Sequence, residues 1–345
     1  MDSFALLYSL RSKKEQQPLA PTSIRAELHI NYWKLPRSNN YDRFLDFGVF
    51  IHEDALKVHN IYLYVPFLIN DENVQDLGSI ISNAELLCTL FNGEYGVSSI
   101  PESPNYHLIT TKTGERHNFW LYELGKTNFE CVSLERGTLL KIEIKSYPKK
   151  GELPITDTAL SPKRNLYMRF RLKNLPVDDV FIQESVSNDF LQSAFSKSEI
   201  FDLHVNEIRS IYKKDYESLS SNKVFFKFDK VHFFFVGSSE DEKVLGNVAY
   251  NNCSLIDFTR WKNYVPDQNM LRPCIAYHWC CKVPKIDNPR LISKYSCFLQ
   301  TVYSSYSWAR ILKYIGVVLV LGLISSSIYD ILKPIISLIS ALIVK

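Results

Sequence analysis

The sequence predicts a mainly β protein, with a β-sandwich-like soluble region and a few helices, that ends in a transmembrane α-helical segment. Two observations predict the β part. Aromatic residues make up 13% of the 345 residues, and several segments alternate apolar and polar residues with a period of two. A third observation predicts the membrane segment, because Tyr314 to Tyr329 contains no Asp, Glu, Lys or Arg.

Strand-like alternation occurs on both sides of a polar stretch rich in Pro, Gly and Lys. One helix is predicted at Val74–Phe91, with Asn73 as its cap, and the phenylalanines on either side of Asp229-Lys230 predict a buried hairpin. The segments 117–124, 128–134 and 139–147 predict a meander. The other predicted strands are Ile24–Trp33, Leu56–Phe67, Leu166–Leu172, Phe201–Ile211, Lys223–Val236 and Cys274–Val283.

The polar stretch predicts a domain boundary. We expect an N-terminal segment at 1–19, a β-rich domain with one helix at 20–150, a linker at 151–163, a second β-rich domain at 164–300 and a transmembrane segment at 309–345. Seven irregularly spaced cysteines argue against a disulfide framework, and the first residues lack the charged and apolar regions of a signal peptide. We therefore expect the soluble part to be cytoplasmic.

Ile311 to Leu332 has about the 20 residues that are needed to cross a bilayer. Trp308 lies at its N-terminal edge, as in an aromatic belt, and the nearby Arg310 and Lys313 place that side in the cytoplasm. The alternative is a buried core helix. The apolar run after Pro334 is too short to cross alone, so it continues a kinked helix, folds back as a hairpin or lies in the interface.

Small and polar residues recur every three or four positions in this segment. If several copies assemble with this stripe inward, its members line a pore; alternatively, Asp330 and Lys333 mark the membrane exit and pair with each other. The pore-lining candidates are Gly322, Ser326, Asp330, Lys333, Ser337 and Ser340.

We find no sequence pattern of an enzyme: no phosphate-binding glycine loop, no nucleophile elbow and no zinc-protease motif. The densest group of metal-ligand residues is Cys274, His278, Cys280 and Cys281, but on a strand Cys281 points away from the other three. We therefore expect no catalytic residue, no metal and no cofactor.

Basic residues suggest a groove for phosphates, because they alternate with apolar residues on two strands and continue into the linker. The alternative is a solvated sheet face whose charge is balanced by Glu143. The nucleic-acid-binding candidates are Lys141, Lys145, Lys149, Lys150, Arg169, Arg171 and Lys173.

A β-rich cytosolic region followed by a membrane segment with a polar stripe resembles bacterial anti-phage membrane effectors. The layout, above all Trp308–Lys345, is similar to the transmembrane effectors of the Hailong defence system. The resemblance implies a homotetrameric channel in the cell inner membrane, held closed by a single-stranded DNA or nucleotide ligand from a partner nucleotidyltransferase. The alternative is a non-catalytic, membrane-anchored scaffold whose β-domain binds a protein partner.

Overall fold

The computed structural model describes residues 2–11, 24–36, 41–52, 55–82, 86, 90, 96–100, 103–110, 116–125, 128–144, 165–176, 182–186, 196–240, 243–246, 248–261, 263–265, 273–284, 290–304 and 308–343. Strands make up 52% and helices 22% of the structure that is described, which confirms the predicted mainly β class. The described α-helices are α1 (Gly78–Ile81), α2 (Lys213–Ser220) and α3 (Trp308–Ile343). The described strands are β1 (Ala5–Leu10), β2 (Arg25–Pro36), β3 (Tyr41–Ile51), β4 (Val58–Val65), β5 (Val74–Asp76), β6 (Gly96–Ile100), β7 (Ser103–Thr110), β8 (Arg116–Tyr122), β9 (Phe129–Ser133), β10 (Thr138–Glu143), β11 (Leu166–Leu172), β12 (Ile182–Val186), β13 (Ser196–Val205), β14 (Val224–Phe225), β15 (Lys227–Ser238), β16 (Lys243–Gly246), β17 (Asn252–Leu255), β18 (Cys274–Lys282) and β19 (Tyr295–Ser304).

The largest sheet joins strands from both sides of the predicted domain boundary. Its order is β17-β18-β15-β2-β3-β11-β8-β7-β6, and β5 pairs with β11. The N-terminal strand β2 pairs in parallel with β15, while β3 pairs antiparallel with β11. Two successive domains at 20–150 and 164–300 are therefore wrong as a division of the fold, although residues 151–163 lie outside the described part. A polar stretch indicates a loop, but it does not reveal which strands pair across that loop.

A second sheet has the order β14-β1-β4-β10-β9. The predicted N-terminal segment contributes its strand β1, which lies between β14 and β4 with most of its residues buried. The third sheet has the order β12-β13-β19-β16. The chain consists of two compact units, one of residues 1–183, 200–240 and 245–299 and the other of residues 184–199, 241–244 and 300–345.

The first of these units contains an apolar core on one face of the ten-stranded sheet. Phe4 packs against Phe47 with ring centroids 5.5 Å apart, and Phe201 stacks on Tyr32 at 4.2 Å. All four side chains are at most 2% exposed, and burial stabilises each by about 2 kcal/mol. The opposite face of this sheet is also covered, so its central strands are buried on both sides.

Three local predictions need correction. The predicted helix at Val74–Phe91 begins later, because β5 occupies Val74–Asp76 and pairs with β11 before α1 starts at Gly78. The predicted meander is only half present, because β9 and β10 pair while β8 belongs to the larger sheet. The predicted hairpin at Asp229-Lys230 is a continuous strand, β15, with a bulge between Phe228 and Lys230.

Helix α3 extends through Pro334 to Ile343, so the chain does not fold back after the proline. At 1.5 Å per residue, its 36 residues span about 54 Å. Within Ile311–Pro334, an 18-residue window has a mean hydropathy of 2.1, and none of that window is buried against the rest of the chain. The alternative of a buried core helix is therefore wrong, and α3 is long and apolar enough to cross a membrane.

Candidate functional site

The face of the ten-stranded sheet opposite the apolar core is also covered, and it carries many polar side chains. We call it the polar face. It lies within the first unit and extends over the five adjacent strands β18, β15, β2, β3 and β11. Strand register places its members in two neighbouring rows. The polar face comprises Cys280, His232, His29, Gly48 and Arg169 in one row and His278, Phe234, Asn31, Asp46 and Arg171 in the next.

Asp46 is the centre of a buried hydrogen-bond network on the polar face. Arg171 donates Nε–H to Asp46 Oδ1 at 2.7 Å and Nη2–H to Oδ2 at 3.1 Å, and Trp33 donates its indole N–H to Oδ2 at 2.8 Å. The Tyr264 hydroxyl also donates to Oδ2, at 2.6 Å. Burial raises the pKa of Tyr264, so this hydroxyl keeps its proton.

Arg169 extends this network toward a histidine. It donates Nε–H to the Tyr264 hydroxyl at 2.6 Å and Nη1–H to the Tyr167 hydroxyl at 3.0 Å. The Tyr167 hydroxyl also lies 3.3 Å from Nδ1 of His29. Two arginines therefore share one carboxylate in the interior, and Arg169 Nη2 comes no closer than 3.9 Å to it. The network holds one buried positive charge more than Asp46 can balance.

These positions contradict the sequence interpretation for two of the seven basic candidates. Arg169 and Arg171 are 1% and 0% exposed, so they form neither a phosphate groove nor a solvated face. The segment containing Tyr264 covers them, and alternation along one strand cannot reveal such a cover. Lys141 lies half-buried on β10 of the five-stranded sheet, beside Glu130, and Lys173 is half-buried after β11. Lys145, Lys149 and Lys150 lie outside the described residues.

A cluster of imidazoles lies at the other end of the polar face. Ligand atoms of Glu27, His29 and His232 all lie within 4.8 Å of one another. His29 Nε2 is 4.0 Å from Glu27 Oε2, and His232 Nδ1 is 3.0 Å from His278 Nε2. The second carboxylate oxygen of Glu27 has other partners, Lys230 at 3.0 Å and a histidine after β3, His52, at 3.2 Å.

Burial keeps this cluster neutral except for the carboxylate. It lowers the pKa of His29, it lowers that of His232 to about 3, and it lowers that of His278 to about 4. Burial alone would raise the pKa of Glu27. The interactions of its carboxylate with His29, His52 and Lys230 outweigh that effect and hold the pKa well below the usual range. At neutral pH the cluster therefore presents one carboxylate among neutral imidazoles.

A small pocket of about 180 Å³ opens beside the two rows. Asn31, Trp33 and Phe234 form its sheet side, and Trp261 and Arg260 come from the loop that follows β17. Its volume is below the range of pockets for drug-sized ligands, so it suits one flat ring rather than a whole nucleotide. Aromatic walls with an amide, a guanidinium and the carboxylate of Asp257 are suited to stacking and hydrogen bonding.

The predicted pore-lining positions all fall within α3, which makes their common face a property of one continuous helix. At 100° per residue, positions 322 to 340 of the stripe lie within about 80° of one another. Pro334 has no N–H, so the Asp330 carbonyl four residues earlier receives no helical hydrogen bond there. Glycine, hydroxyl, carboxylate and ammonium groups thus share one side of α3, with Ser325 and Ser327 outside the stripe on either side.

Sequence reasoning missed Asp46, Gly48 and Tyr264. A carboxylate and a glycine inside the apolar run Phe44–Ile51 were the available signals, because a glycine within a strand often marks a close approach. A Cβ at Gly48 would lie 2.5 Å from the Tyr167 hydroxyl, so only glycine leaves room for it. The grouping of His278 with cysteines was also incomplete, because its partner His232 comes from another strand.

These features define the class: a mainly β protein with one C-terminal apolar helix that could anchor it in a membrane. No protein-family model matches the chain, and no curated protein matches it.

Proposed function

We propose that this chain is a ligand-gated, pore-forming membrane effector that acts in anti-phage defence without catalysis. Several copies assemble, and the resemblance described above implies four. Their α3 helices form a conduit through the inner membrane. The β-rich region stays in the cytoplasm and controls opening. The observation that carries this proposal is an apolar helix, unburied between Ile311 and Pro334, that has a stripe of small and polar residues along one side.

The stripe supports assembly because the bilayer penalises a lone polar helix face. Asp330 and the serines need water or protein partners at membrane depth, and copies of the same helix offer both around a central channel. Gly322 and Ser326, four residues apart, allow neighbouring backbones to approach closely. The same groups would line the water path, so one arrangement accounts for both contact and conduction.

The gating ligand in this proposal is a nucleotide or a single-stranded DNA end supplied by a partner nucleotidyltransferase. With Arg169 and Arg171 buried, the groove predicted from the sequence no longer supports it. The pocket beside Trp33 and Trp261 supports it instead, because its aromatic walls suit one stacked base. Arg260 pairs with Asp257 at 3.4 Å, but it is 58% exposed and can turn to a phosphate at the rim. We propose that the bound ligand holds the conduit closed.

A membrane-anchored scaffold is the second candidate, favoured by one observation. Val248, Tyr250 and Leu255 are 63%, 47% and 70% exposed beside β17, which is the last strand of its sheet among those described. Such an edge accepts an extended segment of a partner protein. The mass of the detergent-solubilised chain separates the two candidates, because a scaffold needs no ring of copies.

The double substitution Ser326→Leu/Asp330→Leu should abolish ion flux through liposomes that contain the protein, because it removes the polar lining at two successive turns. Flux should fall by about 10-fold or more while the inserted amount stays the same. The matched control, Val320→Leu/Ile328→Leu, changes exposed apolar positions outside the stripe and should conduct like the wild type. Unchanged flux in the stripe variant would contradict the pore.

Arg260→Ala should raise the oligonucleotide concentration that half-closes the conduit by about 10-fold, because one charge-assisted hydrogen bond to phosphate is lost. The measurement is liposome flux titrated with a short single-stranded DNA, and the exposed Arg209→Ala is the control. Equal half-closing concentrations in both variants would remove the pocket from the mechanism. If single-stranded DNA closes the conduit at no concentration, the proposed ligand is wrong, but the proposal of a pore is unaffected.

A further inference from the structure

We propose that Glu27, His29 and His232 form a binding site for a divalent transition-metal ion of the zinc type. Nothing in the proposed pore requires such a site. The three residues lie on adjacent parallel strands, where register pairs His29 with His232 and Glu27 with Lys230. Alternate residues of a strand share a face, so Glu27 and His29 point to the same side.

The distances among the three side chains suit an ion better than direct hydrogen bonds. Glu27 Oε2 and His29 Nε2 are 4.0 Å apart, which is too far for a hydrogen bond. Zinc bonds of about 2.1 Å in tetrahedral geometry need ligand atoms about 3.4 Å apart, so closing the gap requires a movement of about 0.6 Å. His232 brings a third ligand atom within 4.8 Å of both.

The surrounding groups orient both imidazoles for this role. If His29 binds through Nε2, its Nδ1–H donates to the Tyr167 hydroxyl 3.3 Å away. If His232 binds through Nε2, its Nδ1–H donates to His278 Nε2 at 3.0 Å. A metal-bound histidine usually donates its other ring N–H in this way, which fixes the ring orientation. His278 and Tyr167 are therefore positioning residues, and the fourth coordination position is left to water.

One ammonium group competes with the ion. Lys230 Nζ lies 3.0 Å from Glu27 Oε1, but its side chain is 43% exposed and can turn toward solvent. Arg169, which cannot leave, lies beyond Tyr167 and weakens the attraction for a cation. We infer a site of moderate affinity that binds the ion when Lys230 moves away. Because Lys230 competes with the ion, some variants should weaken metal binding and another should tighten it.

The test uses full-length protein in detergent, stripped with a chelator and titrated with Co²⁺, whose visible absorption reports tetrahedral coordination. We expect one Co²⁺ per chain, displaced by Zn²⁺. His232→Gln and Glu27→Gln should weaken binding by about 10-fold or more, because the first removes the imidazole ligand and the second removes the charge of the carboxylate ligand. The exposed His59→Gln is the matched control and should bind like the wild type.

Lys230→Met should tighten Co²⁺ binding by about two- to fivefold, because a partly exposed ion pair of this kind contributes little more than that. This variant keeps every proposed ligand, so a folding defect cannot account for a gain. Absence of saturable Co²⁺ binding by the wild type would overturn the site. So would ligand variants that bind like His59→Gln, or a Lys230→Met variant that binds more weakly than the wild type.

Discussion

Asp46→Asn should lower the free energy of unfolding of the soluble region by about 3–5 kcal/mol. The amide keeps the shape of the carboxylate but not its charge, so Arg171 and Arg169 are left in the interior without a counter-ion. Asp46 and Arg171 are both fully buried, and water cannot replace the lost partner without opening the polar face. Tryptophan fluorescence during urea unfolding would measure the loss, since Trp33 donates directly to Asp46.

Two further variants make this experiment specific. Glu130→Gln removes a carboxylate that is 65% exposed and pairs with Lys141, and it should change stability little. Arg171→Met in the Asp46→Asn background removes one uncompensated charge, so the double variant should be more stable than Asp46→Asn alone. Losses that add without recovery, or an Asp46→Asn midpoint equal to that of Glu130→Gln, would contradict the role of Asp46 as counter-ion to the two arginines.

The sequence predicts where the strands of this fold lie along the chain far better than it predicts which strands pair with each other. Alternation at Ile24–Trp33 indicates β2, because a strand repeats its faces every second residue. It also suggests one solvated face, whereas β2 is buried on both, since that depends on remote segments such as the one containing Tyr264. Pairing of β2 with β15 brings together residues about 200 positions apart, and no local pattern encodes such a pairing.

The candidate sites also differ in whether they follow from a local pattern in the sequence or from strand pairing. The stripe on α3 could be recognised because its positions follow from one helical period within one element. The cluster of Glu27, His29 and His232 could not, because its geometry arises only when two strands align in register. Arg169 and Arg171 show the opposite error, in which a pattern typical of a basic surface belongs to buried side chains that compensate a carboxylate.

Leu321→Arg/Ile324→Arg should release the chain from membranes, the largest effect we expect from two substitutions. Both side chains lie near the middle of Ile311–Pro334, at 59% and 50% exposed, on the side of α3 away from the stripe. An arginine at the centre of a membrane helix costs about 2.5–3.5 kcal/mol, so two cost about 5–7 kcal/mol. Ultracentrifugation should find the wild type in the membrane pellet and the variant largely in the supernatant.

The exchange Leu321→Ile/Ile324→Leu keeps the composition and should stay in the pellet. A comparison at equal depth then separates an anchor from a conduit. Ile324→Arg places its charge against lipid, whereas Ser326→Arg places it on the stripe, about 160° around the helix. In an assembled conduit the stripe faces water, so Ser326→Arg should be retained in the pellet better than Ile324→Arg. Equal losses from the two positions would mean that α3 has lipid on all sides, which is the behaviour of a simple anchor.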